Sequence, residues 1–392
     1  MSGFDDITER LQTRREQHLY RQRRVVGSRQ GRALVVDGNE LLNFCSNDYL
    51  GLAGDERIAE ALAEASKQWG TGSGASHLVC GHTEAHHRLE EQLAELTQRP
   101  RALLFSSGYA ANLGIINGLL GAGDHAFEDK LNHASLLDGA LLSRANFQRF
   151  RHKDYQHLGD LLDKARDSTS RKLLITDGVF SMDGDSCDTA ILAEAARSHE
   201  AWLMVDDAHG FGVTGNNGCG SVDPALYTTD DVQILMGTLG KAVGTQGAFV
   251  AGNEELIETL IQEARTFIYT TAMPAAIAAA TSTSLSIVTE EQWRRERLHE
   301  LINRFRDGAE QMGLNLLPSV TPIQPVLLGD ETLALKVAEI LELAGFLITA
   351  IRPPTVPKGT TRLRVTLTAS HTDADVEQLL QALERAMQEA GA

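Results

Sequence analysis

Three hydrophobic runs in this chain each stop abruptly at residues of useful chemistry. Residues 171–176 run into Asp177-Gly-Val-Phe-Ser181, residues 201–205 into Asp206-Asp-Ala-His209-Gly210, and residues 232–236 into Gly237-Thr-Leu-Gly-Lys241. Short apolar runs bounded in this way read as buried strands. In an α/β sheet, ligands sit just beyond the carboxyl ends of the strands. The chain therefore delivers carboxylates, an imidazole, hydroxyls and one lysine to a single sheet edge.

The rest of the middle section supports that sheet. Strands are expected at 102–105, 125–128, 147–151 and 247–252, and helices at 109–120, 134–143, 158–167 and 189–199. Such alternation predicts an α/β fold, a mostly parallel seven-stranded sheet with helices on both faces. Upstream, 5–24 reads as a basic amphipathic helix, with Ile7, Leu11 and Leu19 among Arg14, Arg15, Arg21, Arg23 and Arg24. A strand pair follows at 33–37 and 41–45 around Gly38-Asn39, then a turn at 46–51, a helix at 56–69, a Gly-rich loop at 70–74 and a helix at 82–97. Downstream, 272–287 is rich in Ala, Ser and Thr, and 290–312 is a charged helical pattern. Strands at 323–328, 346–351 and 362–368 then alternate with helices at 332–344 and 372–388, the last opened by the capping box Thr372-x-x-Asp375. The expected division is an N-terminal segment 1–55, a large α/β domain 56–288 and a smaller C-terminal α+β domain 289–392.

Charge narrows the partners. Lys plus Arg minus Asp plus Glu is 36 − 53 = −17, which argues against general nucleic-acid binding, since phosphate backbones need clustered cations. The four cysteines, Cys45, Cys80, Cys187 and Cys219, form no C-x-x-C pair and read as reduced thiols. The first ten residues lack an apolar signal core, and no apolar stretch is long enough to span a bilayer. A cytoplasmic protein with no membrane partner is expected.

Lys241 is flanked by small residues that let a flat ligand approach the backbone. Taken alone, a loop lysine is more often solvated. A Walker A loop fails here, because Leu235 stands where the first glycine belongs and Ala242 replaces the Ser/Thr that binds magnesium. Asp206 changes the balance. A carboxylate opposite the ring nitrogen of pyridoxal phosphate keeps that nitrogen protonated, which makes the ring an electron sink; the plainer reading is a turn-capping Asp. His209 is placed to reach the phenolic oxygen of such a cofactor, and His133 to stack on its ring, though either alone reads more simply as a structural histidine. Ser106-Ser-Gly108-Tyr109 opens a helix after a strand, where free N–H groups suit a phosphate. Arg352, at a strand end before Pro353-Pro354, suits a substrate carboxylate. His82, His86 and His87 offer an i,i+4 pair, but no Glu follows His82 as in H-E-x-x-H, and no metal is expected.

Seven segments in order complete the picture: Phe44-Cys-Ser-Asn-Asp-Tyr-Leu-Gly-Leu52, Gly70-Thr-Gly-Ser-Gly-Ala-Ser-His77, Ser106-Ser-Gly-Tyr-Ala-Ala-Asn112, Asp177-Gly-Val-Phe-Ser-Met-Asp-Gly184, Asp206-Asp-Ala-His-Gly-Phe-Gly212, Gly237-Thr-Leu-Gly-Lys241 and Ile351-Arg-Pro-Pro-Thr-Val-Pro357. Over nearly its whole length the chain resembles the α-oxoamine synthases, pyridoxal-phosphate enzymes of fold type I that work as homodimers. The resemblance implies pyridoxal 5′-phosphate as cofactor, bonded to Lys241. It gives Asp206 the pyridine nitrogen, His133 the ring face, His209 and Ser181 the phenolic oxygen, and Gly108, Tyr109 and Thr238 the cofactor and its phosphate. Thr270 or Thr271 is implied to reach the phosphate site across the dimer. Arg21, Asn47, Arg352 and Thr355 match substrate-side positions. Lys241, His133 and Asp206 would carry the catalysis. Within the family, Ala208-His-Gly210 fits the members that condense L-alanine with a pimeloyl thioester, on CoA or acyl carrier protein. Asp177 is shared more often with sister ligases that use glycine and acetyl-CoA, which stand as the alternative.

Overall fold

A computed structural model describes residues 4–17, 19–166 and 169–391. Its centre is a seven-stranded sheet. Across it the strands run Arg101–Phe105, Ala248–Gly252, Ile234–Thr238, Trp202–Asp206, Lys172–Asp177, His125–Asp129 and Asn146–Phe150. Ala248–Gly252 is antiparallel to both neighbours; the remaining pairs are parallel.

The apolar runs are continuous because both faces of the sheet are covered. Leu173, Ile175, Met204, Ile234 and Met236 pack into one cluster with Ile115, Ile116 and Leu136 of the helices Gly108–Leu119 and Ala134–Ser143. Their alternates Leu174, Leu203, Val205 and Leu235 pack into a second, with Leu158, Leu162 and Leu192 of Tyr155–Lys164 and Thr189–Ser198. One residue of register slip would exchange the two sets. The expected end of the first of these last two helices, at 167, falls outside the described residues.

Two small sheets flank this body. Ile323–Gly329, Thr361–Thr366 and Thr349–Ile351 form one, all antiparallel. Ala33–Val36, Asn39–Asn43 and Phe346–Leu347 form the other, the last pair parallel. The strand expected over 346–351 is thus divided between two sheets. No Gly or Pro marks the break at Ile348, so the sequence carries no sign of it. The first hairpin turns one residue earlier than expected, at Asp37-Gly38, whose φ values of +50° and +88° fit a two-residue hairpin loop.

The N-terminal helix is shorter than its arginines imply. It covers Ile7–Glu16 and buries no residue. Two apolar residues in ten, Ile7 and Leu11, make no stripe that a core can cover. The C-terminal helix Asp373–Ala390 carries the expected capping box between Thr372 and Asp375. Among the described residues no helix is long and apolar enough to cross a membrane.

Residues 44–52 are pinned over the sheet edge, which matters for the site. Phe44, Tyr49, Leu50 and Leu52 share a core cluster with Ile323, Leu363, Val365 and Val376. Asp48 accepts from Leu52 N at 2.8 Å and Ala53 N at 3.1 Å, closing the turn. Gly51, at φ +69°, lies so close to Ser370 that a Cβ would meet its Oγ at 1.9 Å.

Candidate active site

A cavity of about 180 Å³ opens at the carboxyl ends of the three central strands. Its wall contains Gly108, Tyr109, His133, Ser181, Asp206, His209, Thr238 and Lys241, all eight residues expected around a cofactor. A second cavity of about 260 Å³ adjoins it, lined by Asn47, Cys45, Thr349 and Arg364. His133, Ser181, His209 and Lys241 belong to both. Arg21, Arg352 and Thr355 line neither. Arg21 is exposed beyond the first helix, and Thr355 is exposed in a turn whose N–H donates to the Arg352 carbonyl at 3.0 Å.

The inner cavity is organised around Asp206. Its Oδ1 accepts from Ala208 N at 3.0 Å and its Oδ2 from Asn112 Nδ2 at 2.7 Å. Asn112 also donates to Ser135 Oγ at 2.8 Å. Ser135 Oγ lies 2.7 Å from His133 Nδ1, and Ser135 N–H donates to the same nitrogen. Nδ1 of His133 is therefore an acceptor, and the proton of the neutral ring sits on Nε2. Burial holds His133 below the usual imidazole range, with Asp206 opposing and Lys241 adding to the shift.

Lys241 Nζ lies 2.8 Å from His209 Nε2, and Tyr49 OH lies 2.6 Å from His209 Nδ1. Tyr49 also reaches Asn47 Oδ1 at 3.2 Å, and Arg364 Nη2 donates to the same oxygen at 3.2 Å. A row of hydrogen bonds, buried at its Tyr49–His209 centre and part-buried at its ends, thus joins the lysine to an arginine. Burial brings the Lys241 amine down to about 8, against the pull of Asp206 and Asp177. Burial chiefly, with Lys241 and Arg364 adding, holds His209 well below its ordinary value, so it is neutral.

The neighbouring carboxyls have separate tasks. Asp177 is buried beside Asp206 and is pushed well above the usual range by burial and that charge. Asp207 turns to the following loop: Ser221 N and Oγ donate to it at 2.8 and 2.5 Å. A Cβ on Gly210 or Gly220 would meet its oxygens at 2.1 or 2.0 Å, so the loop needs glycine there.

These residues fit pyridoxal phosphate. Asn112 Oδ1 and Asp177 Oδ1, on residues of the cavity wall, are buried without a protein partner. At Gly108 an added Cβ would touch only Met236, at 3.6 Å, so the protein's own packing does not require the glycine. Ser107 caps the helix Gly108–Leu119 by accepting from Ala110 N. The N–H groups of Gly108 and Tyr109 stay free at its start, as an anion site requires.

Sequence reasoning missed Arg364, Tyr49 and Asn112. Arg364 comes from the C-terminal sheet, where its Nε donates to the Ser181 carbonyl at 2.7 Å. Arg362 and Arg364 alternate on one fully buried strand, and two arginines at period two around Leu363 are the signal that marks the site-facing side. Asn112 is a lone polar residue among buried apolar ones on its helix.

The profile described as aminotransferase class I and II matches residues 39–383. The chain belongs to this family, and its sheet is that of the fold-type I pyridoxal-phosphate enzymes. Saccharophagus degradans 8-amino-7-oxononanoate synthase is 58% identical over 391 residues, 99% of this chain and 98% of that protein. A serine palmitoyltransferase variant from S. paucimobilis, solved with a bound PLP–myriocin aldimine, matches with a TM-score of 0.92 at 29% identity, over 100% of this chain and 98% of that one. The 8-amino-7-oxononanoate synthase of Francisella tularensis matches at 0.78 and 30% identity, over 89% of this chain and 98% of that one. Within its family the chain falls among the 8-amino-7-oxononanoate synthases.

Proposed function

We propose that the protein joins L-alanine to a pimeloyl thioester, on CoA or acyl carrier protein, releasing CO2 and the thiol carrier. The product is 8-amino-7-oxononanoate, for biotin synthesis. The reading places a homodimer in the cytoplasm, with pyridoxal 5′-phosphate in the inner cavity. One observation carries it: a buried lysine amine, brought to about 8, stands where a cavity built on Asp206 meets a cavity built on Arg364.

When bound, pyridoxal phosphate supplies an aldehyde that captures amines and a ring that takes up electrons from a breaking bond at Cα. Lys241 is the amine for that aldehyde. Displaced by alanine, its Nζ takes the proton from alanine Cα, a task suited to a group that titrates near working pH. His209, 2.8 Å away, holds Nζ in place. Asp206, fixed by Asn112 and the Ala208 N–H, would face the ring nitrogen. Arg364 and Asn47 hold the alanine carboxylate by a charge-assisted fork, until that carboxylate leaves as CO2 after the acyl bond forms. His133 Nε2–H is a donor for the thioester carbonyl as it gains charge. Arg21, Arg352 and Thr355 would then belong to the acyl side.

The test offers purified protein with cofactor three matched pairs: alanine with pimeloyl thioester, glycine with acetyl-CoA, and serine with a long-chain acyl-CoA. Thiol release fastest with the first pair is expected. Faster release with glycine and acetyl-CoA would replace this reading by the sister ligase.

A further inference from the structure

Outside both active-site cavities of its own chain, the fold assembles three metal-ligating side chains where the sequence led us to expect no metal. His87 and Glu90 stand three residues apart on the helix Glu84–Thr97 and so share a face. His82 lies just before the helix N-cap, Thr83. The ligand atoms of His82, His87 and Glu90 all lie within 4.8 Å of one another, and His82 Nε2 is 3.9 Å from Glu90 Oε2. Donors at tetrahedral corners about 2.0–2.1 Å from zinc sit about 3.3 Å apart. A small shift of His82 Nε2 toward Glu90, with rotation of the exposed His87 side chain, closes that gap.

The cluster is built rather than scattered. His82 Nδ1 lies 3.0 Å from His77 Nδ1. With the shared proton on His82, its lone pair falls on Nε2, the atom nearer Glu90. His77 is itself fixed, stacked on Phe267 with ring centroids 5.0 Å apart. Glu90 is mostly buried, and its Oε1 accepts from Leu104 N at 3.0 Å, which leaves Oε2 for a cation. The nearby Arg101 is engaged instead by Glu254 and Glu258. Ligands oriented by such second hydrogen bonds are the mark of functioning metal sites. A cavity of about 550 Å³ opens beside all three side chains and leaves room for a water ligand.

We propose that His82, His87 and Glu90 bind one zinc ion per chain, with water as the fourth ligand. Two imidazoles and a carboxylate are a donor set zinc accepts readily. The ion would tie the segment at 77–82 to the helix behind it. That segment continues back to Ser76, which bridges Thr271, and Ala75, whose carbonyl accepts from Ala272 N.

The test titrates chelator-treated holoenzyme with Co2+, read by d–d absorption at wavelengths beyond the cofactor band, and then displaces it with Zn2+. One equivalent per chain is expected. His82→Ala, His87→Ala and Glu90→Gln should each weaken binding at least about tenfold, while Cys80→Ser leaves it unchanged. His87 is exposed, so its variant should fold and keep full turnover. The proposal is overturned if no saturable equivalent binds, if binding survives in the His87→Ala protein, or if Cys80→Ser abolishes it.

Discussion

The Tyr49 hydroxyl lies 2.6 Å from Nδ1 of His209, and both side chains are buried. Burial pushes the phenol up to about 12 and keeps the imidazole neutral. One proton on each must therefore be shared out along the row. When Tyr49 donates to Nδ1, Nε2–H points to Lys241; when Tyr49 donates to Asn47, Nε2 accepts from Lys241 instead. Tyr49 thus selects the His209 tautomer that the lysine meets.

Tyr49→Phe keeps the packing and removes that choice. It should cost about 1–2 kcal/mol in stability, because Nδ1 loses its partner in a buried place. We expect kcat to fall about tenfold, less than the roughly 10²–10⁴-fold of a lost general acid or base because the phenol acts through the imidazole, with KM for alanine little changed. The acid limb of the kcat/KM profile should also move. Wild-type kcat and an unmoved pH profile in this variant would show that the phenol does not govern the imidazole.

Lys241→Ala should leave the fold intact and abolish turnover, by at least about 10⁴-fold if both its amine and its proton-transfer roles are lost. The wild-type amine also predicts a pH dependence. Below about 8 it is protonated and unreactive; above, it is free. Cofactor uptake by apo-protein should accelerate as pH rises through 8 and then level. Stopped-flow absorbance checks this, and a rate flat from pH 6 to 9 would count against Lys241 as the reacting group.

Arg364 is expected to set affinity for the amino acid. Arg364→Lys keeps a charge but loses the fork, so KM for L-alanine should rise by about 10- to 100-fold, the cost of one lost hydrogen bond to a charged group. Arg352→Lys should leave that KM near wild type and act on the thioester instead. The reverse pattern would move the carboxylate clamp to the residue first suspected from sequence.

That contrast shows what the chain discloses by itself. Lys241, Asp206 and His209 were legible because each lies at or just beyond the end of an apolar run, and strand ends face the ligand in this class of sheet. Arg364 was not, because it reaches the site from another sheet, and nothing local says that Thr361–Thr366 lies over Ser181. Arg352 drew notice for its place at a strand end and in a segment that matches the family's substrate side. Tyr49 looked like a turn residue, and its role appears once Asp48 closes that turn and Phe44 anchors it in the C-terminal core. The helix expected over 5–24 is cut to Ile7–Glu16 for a physical reason: cationic periodicity without an apolar stripe has nothing to bury. The histidines near residue 82 were judged as an i,i+4 pair, whereas folding pairs His82 with His87 and a half-hidden Glu90 three residues further along the helix.

Glu128 gives a test of stability that is independent of the chemistry. Its side chain is buried on the strand His125–Asp129, both carboxyl oxygens lack partners, and burial raises its pKa to about 8 from an ordinary 4.5, with Arg149 opposing. The folded protein therefore keeps a proton that the unfolded chain gives up above 4.5. Between those two pH values folding becomes less favourable by about 1.4 kcal/mol per pH unit from this group, and beyond about 8 the loss is complete. Glu128→Gln removes the titration and keeps the shape. Urea unfolding at pH 5 and pH 8 should find the variant close to wild type at the lower pH and more stable by a few kcal/mol at the higher. An equal difference at both pH values would mean that Glu128 is already ionised inside the fold.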